Sequence, residues 1–356
     1  MTNKPSIIVT GGAGYIGSHA VLAFREAAYP VVVVDDLSTG RRESVPDGVP
    51  FIEGNAGDRE LVGRVIRDHG VGAVVHFAGS IVIPESVSAP LKYYRNNTAA
   101  SRNLIEACVA NHVKYFIFSS TAAVYGHPEK VPVSEDVPTA PINPYGNSKL
   151  MTEWILRDTA QAHDFRYVAL RYFNVAGADP DGRTGQSTPN ATHLIKIASQ
   201  AALGLRQGIE LFGDDYDTPD GTCIRDYIHV SDLAVAHVDA LGHLTAANKN
   251  LVLNCGYGHG HSVREVLATV EKEAGVHLHV RSAPPRSGDA ASLVADASRI
   301  RNYFAWQPRY DDLGFIVRTA IELGAETRRR SPGRAFGRLR GYAGMDVPAE
   351  ISRHQP

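Results

Sequence analysis

Short apolar, β-branched runs alternate with longer helical patterns over the first 175 residues of this 356-residue chain. Strand-like runs fall at Ser6–Thr10, Val31–Asp35, Phe51–Glu53, Ala73–Phe77, Tyr115–Ser119 and Arg166–Tyr172. Helical periodicity spans Tyr15–Ala27, Arg59–His69, Leu91–Asn111 and Tyr145–His163. The run Val31-Val32-Val33-Val34 has no polar alternation. Both of its faces must therefore be covered, as in a parallel sheet between two helix layers. The alternation predicts βαβ units and an α/β fold with a doubly wound parallel sheet. After about Ala176 the pattern breaks up. Loops rich in Gly, Pro and Asp (Ala176–Pro189, Gly213–Gly221) separate shorter helices at His193–Leu203, Asp232–Leu244, Val263–Ala274 and Ser298–Phe304. The expected organisation is a doubly wound α/β domain over residues 1–175 and a smaller α/β domain over 176–327. Some segments of the second domain return to the first, and residues 328–356 form a loose tail.

Composition narrows the function more than the fold. An apolar fraction of 44% and a charged fraction of 21% are ordinary for a globular protein, and the formal net charge of −2 offers no surface for nucleic acid or anionic membrane. No apolar stretch reaches the length of a membrane span, and the N-terminal run lacks the apolar core of a signal peptide. Cys108, Cys223 and Cys255 are the only cysteines, far apart and outside any CxxC pair, which fits a reducing cytoplasm. Fifteen histidines include no HExxH or helical HxxxH pattern, so no metal is expected.

Candidate chemistry sits at two places in the first half. Gly12, Gly14 and Gly17 make a GxGxxG pattern that follows the first strand and opens the first helix. Glycines there permit a tight turn and let the backbone approach a pyrophosphate, which the helix N-terminus attracts. The next strand ends in Asp35, where a carboxylate can hold ribose hydroxyls and repel a 2′-phosphate, favouring NAD over NADP; Arg41 and Arg42 follow closely. Without strand, helix and acidic residue together, the same glycines would fit an unrelated loop. Further on, His76-Phe77-Ala78-Gly79 and Phe118-Ser119-Ser120-Thr121 close two more parallel strands, where ligands of open α/β sheets bind. Taken alone, Thr121 fits a helix cap equally well.

The second place is Tyr145-Gly146-Asn147-Ser148-Lys149. Residues four apart on a helix are displaced by only about 40°, so phenol and ammonium share a face. The charge of Lys149 is expected to draw the Tyr145 pKa below the usual phenol value and make it a base. Such spacing also occurs on ordinary helices.

Together the glycine loop, the Ser-Ser-Thr strand end and the YxxxK pair resemble the extended short-chain dehydrogenase/reductase family, with its Rossmann domain. The segments Arg171-Tyr172-Phe173-Asn174 and Arg225-Asp226-Tyr227-Ile228-His229-Val230-Ser231-Asp232-Leu233 narrow the likeness to nucleotide-sugar epimerases. Glu85-Ser86, Tyr94-Arg95-Asn96-Asn97-Thr98, Ala123-Val124-Tyr125-Gly126 and Arg286-Ser287-Gly288-Asp289 belong to the same likeness, which runs from about Ile7 to Ala325.

The resemblance implies inversion at carbon 4 of a UDP-hexose through a 4-keto sugar, with NAD retained. It assigns Tyr145 as general base, Lys149 to the nicotinamide ribose and Thr121 to the sugar hydroxyl. Gly11, Gly14, Tyr15, Ile16 and Gly17 then serve NAD, together with Asp35, Asn55, Phe77, Ala78 and Gly79. Asn96, Ser119 and Tyr172 complete the cofactor set. Asn174, Phe212, Arg225 and Tyr227 serve the UDP-sugar, with Arg286, Asp289 and Leu293. A homodimer through the helices around Leu91–Asn111 and Tyr145–His163 is also implied. Three positions depart from the family pattern. Asn55 stands where the family commonly has an Asp at the adenine, Ile81 where some members carry a Lys near the pyrophosphate, and Leu293 where some members carry a bulky Tyr beside the sugar. A 4,6-dehydratase needs an acid–base pair after the strand-end Thr, and Ala122-Ala123 provide none. Epimerases of UDP-N-acetylhexosamines, UDP-pentoses or UDP-uronates are alternatives, as is an NAD-binding sensor or scaffold without chemistry.

Overall fold

The computed structural model describes residues 4–188, 191–286 and 289–330. Its first half runs β1 (Ser6–Thr10), α1 (Tyr15–Glu26), β2 (Val31–Asp35), β3 (Phe51–Glu53), α2 (Arg59–His69) and β4 (Val71–His76). Then come α3 (Ile83–Ser88), α4 (Pro90–Tyr93), α5 (Ala100–Ala110), β5 (Tyr115–Thr121), α6 (Pro144–Ala162) and β6 (Arg166–Tyr172). The second half comprises β7 (Asn174–Ala176), α7 (Leu194–Ala202), β8 (Ile209–Phe212), β9 (Ile224–Arg225), β10 (Tyr227–His229) and α8 (Val230–Ala247). It continues with β11 (Leu251–Cys255), β12 (His261–Ser262), α9 (Val263–Ala274), β13 (Val280–Ala283), β14 (Ser292–Leu293), α10 (Ser298–Phe304) and α11 (Leu313–Arg330).

Seven parallel strands in the order β3-β2-β1-β4-β5-β6-β11 form the middle layer. Every residue of β2 is buried, as a strand covered on both faces requires. The doubly wound α/β class read from the alternation is therefore correct. The strand order reverses between β1 and β4, and the crevice beyond their carboxyl ends is where such sheets bind ligands.

Several boundaries differ from the sequence reading. The fourth strand is Val71–His76, and β5 extends to Thr121 because it pairs with β6 as far as Thr121 against Tyr172. The helix around Leu91–Asn111 is continuous from Pro90 but passes through a π-helical turn, Tyr94–Ala99, before α5. In the second half, β11 completes the sheet beside β6, and α8 packs on α1, so residues 230–255 join the first layer. Of the tail expected over residues 328–356, residues 328–330 belong to α11, and 331–356 lie outside the described residues. Among the described residues, no helix is long and apolar enough to cross a membrane, and no group of three or more metal-binding side chains converges.

Candidate active site

The glycine loop leaves a cradle that side chains would fill. Gly11 has φ +70°, and a Cβ there would lie 2.7 Å from the Ala78 amide nitrogen. This close approach seats the loop after β1 against the end of β4, where Phe77 N donates to Thr10 O. A Cβ on Gly17 would lie 2.1 Å from Gly11 O, and one on Gly14 would lie 3.1 Å from it. Gly14 caps α1 without a side chain, so the first-turn amides of Tyr15 and Ile16 face the loop uncovered by a cap. Asp35 is buried and accepts from Ala13 N (2.9 Å) and Leu37 N (2.8 Å), while burial pushes its carboxyl up. Arg41 Nε donates to Ser187 O, and the Arg42 guanidinium sits over the Phe51 ring, so both arginines already have partners. An anion-seeking helix end, a glycine cradle and a buried strand-end carboxylate fit a dinucleotide without 2′-phosphate.

Other expected cofactor residues divide. Asn55 is exposed, and its Oδ1 accepts from Gly57 N at 2.7 Å, committing that oxygen to a local turn before α2. Asn96 donates to Ser80 Oγ at 3.1 Å. Its neighbour Asn97, absent from the sequence-based set, is the buried one. Asn97 Oδ1 accepts from Ser80 N (2.7 Å), and its Nδ2 donates to Ser80 O and Ser148 Oγ (both 2.9 Å). It thereby ties the loop after β4 to α6. The π-helical turn that contains it is the kind of helix irregularity found at functional sites.

Tyr145, Lys149 and Thr121 converge. Asn143 caps α6 by accepting from Gly146 N at 2.9 Å, and Pro144 occupies the first turn. Gly146 lets that turn lie against the chain after β5, since a Cβ there would stand 2.7 Å from Ala123 O. Tyr145 is buried and hydrogen-bonds the Thr121 hydroxyl. Lys149, equally buried, donates to Ser119 O at 2.9 Å, and Ser119 Oγ hydrogen-bonds the Tyr172 hydroxyl.

The lowered Tyr145 pKa expected from Lys149 needs correction in the protein alone. Burial pushes the phenol up, and the Thr121 hydrogen bond opposes it. Burial also brings the Lys149 ammonium down to about 8. The dry site penalises both charged forms, and the ammonium is spent on a carbonyl rather than on the phenol.

The expected substrate residues fall into three adjoining groups. Asn174 and Tyr227 are in register on the paired strands β7 and β10. The Arg286 guanidinium stacks 3.9 Å over the Phe212 ring. Arg225 approaches Asp289 (3.8 Å) and is in register with Leu293 of β14. Leu293 also packs on the cluster holding Ala122, Tyr125, Leu150 and Phe173, which joins this group to the Tyr145 neighbourhood. Ser287 and Gly288, part of the recognised Arg286–Asp289 motif, lie outside the described residues. Sequence reasoning also passed over Tyr216, whose buried hydroxyl faces the Cys223 thiol and whose ring lies under Gly213 (φ +75°).

The NAD dependent epimerase/dehydratase family profile matches residues 7–256. A UDP-glucose 4-epimerase of Azospirillum brasilense is 61% identical over 318 residues, 89% of this chain and 91% of that protein. The solved UDP-glucose 4-epimerase from Brucella ovis in complex with NAD aligns with a TM-score of 0.87 at 44% identity, covering 89% of this chain and 98% of that one. The UDP-Glc/GlcNAc 4-epimerase of Campylobacter jejuni gives 0.79 at 48% identity, covering 90% and 99%.

Proposed function

We propose that this chain, which belongs to the NAD dependent epimerase/dehydratase family, reversibly inverts carbon 4 of UDP-glucose and UDP-galactose. The observation that carries this reading is the meeting of Tyr145, Thr121 and Lys149 beside the glycine cradle, at the carboxyl ends of neighbouring strands. Gly11, Gly14, Tyr15, Ile16 and Gly17 hold the NAD pyrophosphate, Asp35 a ribose, and Lys149 the nicotinamide ribose. When bound, NAD supplies the hydride acceptor, and in its reduced form the donor, that the inversion requires.

Tyr145 Oη takes the proton of the sugar 4-hydroxyl and later returns it. Thr121 holds the phenol and the sugar oxygen in one hydrogen-bonded line. Arg225 and Arg286 grip the diphosphate through charge-assisted bonds, and Phe212 lies along the base. Strong hold on UDP and weak hold on the hexose let the sugar present either face. Residues 1–175 carry the cofactor side and 176–327 mainly the UDP-sugar side.

Thr121→Ala is expected to lower kcat by roughly ten- to a hundredfold, because the base remains while its partner is lost. It also removes the hydrogen bond that lowers the phenol pKa. The rise of rate with pH as Tyr145 deprotonates therefore moves to higher pH. Initial rates across the alkaline range measure both; an unchanged profile contradicts the role of Thr121.

The function itself is tested by incubating the protein with UDP-galactose, UDP-N-acetylgalactosamine, UDP-xylose and UDP-glucuronate and resolving the products by chromatography. UDP-glucose from UDP-galactose is expected, and its absence overturns the proposal. Leu293, only half-buried where some family members carry a larger Tyr, favours conversion of the N-acetylated sugar as well.

The protein forms a homodimer through α4, α5 and α6. Supporting this, Leu91 is 80% exposed on α4, and Met151 and Trp154 are exposed on α6, opposite Lys149. Three buried free thiols, Cys108, Cys223 and Cys255, suit the cytoplasm.

A further inference from the structure

One turn beyond Lys149, on the same line of α6, lies the buried carboxylate of Glu153. Tyr145, Lys149 and Glu153 are spaced by four residues each and share the face turned to the sheet. Each meets one of three consecutive residues of β5. Tyr145 bonds Thr121, Lys149 donates to Ser119 O, and the Glu153 carboxylate accepts from Ser120 Oγ.

The third contact is backed by a fork from the next strand. Arg171 Nε donates to Glu153 Oε1 (3.0 Å) and Nη2 to Oε2 (2.6 Å). The remaining Arg171 nitrogen, Nη1, donates to the Tyr125 hydroxyl (3.0 Å), which donates to Asn254 Oδ1 (2.7 Å). Ser120, Arg171 and Asn254 stand side by side, in register across β5, β6 and β11. Asn254 Nδ2 finally donates to Val133 O, fixing the loop that leads to α6.

Stability alone is a poor reason for such a pair. Both Glu153 and Arg171 are more than nine-tenths buried, and a well-packed apolar pair is often as stable as a buried ion pair or more so. What an apolar pair cannot supply is direction: a two-pronged fork fixes both the rotation and the height of the helix that carries it. Rotation and height of α6 decide whether the Tyr145 oxygen meets Thr121.

Resting on the epimerase reading above, we infer that Glu153, held by Arg171 and Ser120, is a positioning residue that sets α6 against the end of β5. It touches neither cofactor nor sugar and acts through Tyr145 and Lys149.

The test is the double replacement Glu153→Met with Arg171→Met, which removes both charges at once and leaves neither unpaired. Melting temperature, NAD per subunit, and kcat and KM for UDP-galactose are measured beside the unaltered protein. The expected result is a melting temperature and NAD content close to the original, an unchanged KM, and a kcat lower by roughly a hundredfold, the scale of a misplaced reacting group. A folded, NAD-loaded double variant with the original kcat overturns the inference.

If the double variant does not fold, Ser120→Ala decides, since it severs only the bond to β5. A several-fold lower kcat at unchanged KM supports the inference, and full kcat overturns it. Failure of the unaltered protein to convert UDP-galactose would instead sink the epimerase reading, so the two failures are separable.

Discussion

Tyr145→Phe is expected to lower epimerisation of UDP-galactose by about a thousandfold or more while leaving the protein folded and loaded with NAD. The ring of Tyr145 is buried, 6.5 Å from Tyr93 in an edge-on contact, and phenylalanine preserves that packing. Only the oxygen goes, and with it the group that moves the 4-hydroxyl proton, a contribution worth about two to four powers of ten. Rates from a coupled assay, NAD released on denaturation and a melting curve give the three readouts. Epimerisation within tenfold of the original would show that another group carries the proton.

Lys149→Met has the second largest expected effect, and it differs in kind. Methionine fills much of the lysine volume but leaves Ser119 O without its 2.9 Å donor. An unpaired buried carbonyl costs about 1–3 kcal/mol, so a lower melting temperature accompanies the loss of activity. Because Lys149 holds the nicotinamide ribose in this account, NAD content is expected to fall as well. The kcat of the fraction still loaded drops by about a hundredfold, the scale of lost positioning. Loss of NAD separates this variant from Tyr145→Phe. Full NAD content with full activity would contradict the assignment.

Much of the first half was legible because its signals are local. A strand buried on both faces must be apolar throughout, as Val31–Val34 is, and a glycine whose Cβ would stand 2.7 Å from a facing backbone nitrogen can be nothing else. Such constraints act at one residue and leave a mark there.

Buried polar partnerships leave no such mark. Glu153 lies between Met151 and Trp154, and a pattern-based reading turns the Met and Trp inward and the carboxylate outward. The helix does the reverse, because Arg171 and Ser120 satisfy the carboxylate and Trp154 remains exposed. Asn254 likewise breaks the apolar run of β11 and hides the seventh strand, though its buried amide is satisfied by Tyr125 and Val133. Asn97 sits beside Asn96 in the same run, and only the π-helical turn decides which one faces inward. In each case the partner comes from a distant stretch of chain. The direction of the Tyr145 pKa was hidden for the same reason, since helical spacing reports the neighbouring charge but not the burial of both groups.

The central claim is that carbon 4 is inverted by a hydride that leaves and returns within one site. The most direct measurement supplies UDP-galactose bearing deuterium at C4 to the purified protein, with no NAD added, and examines the product by mass spectrometry and NMR. The account predicts UDP-glucose that keeps the deuterium at C4. UDP-glucose carrying protium there, or no UDP-glucose at all, would contradict it.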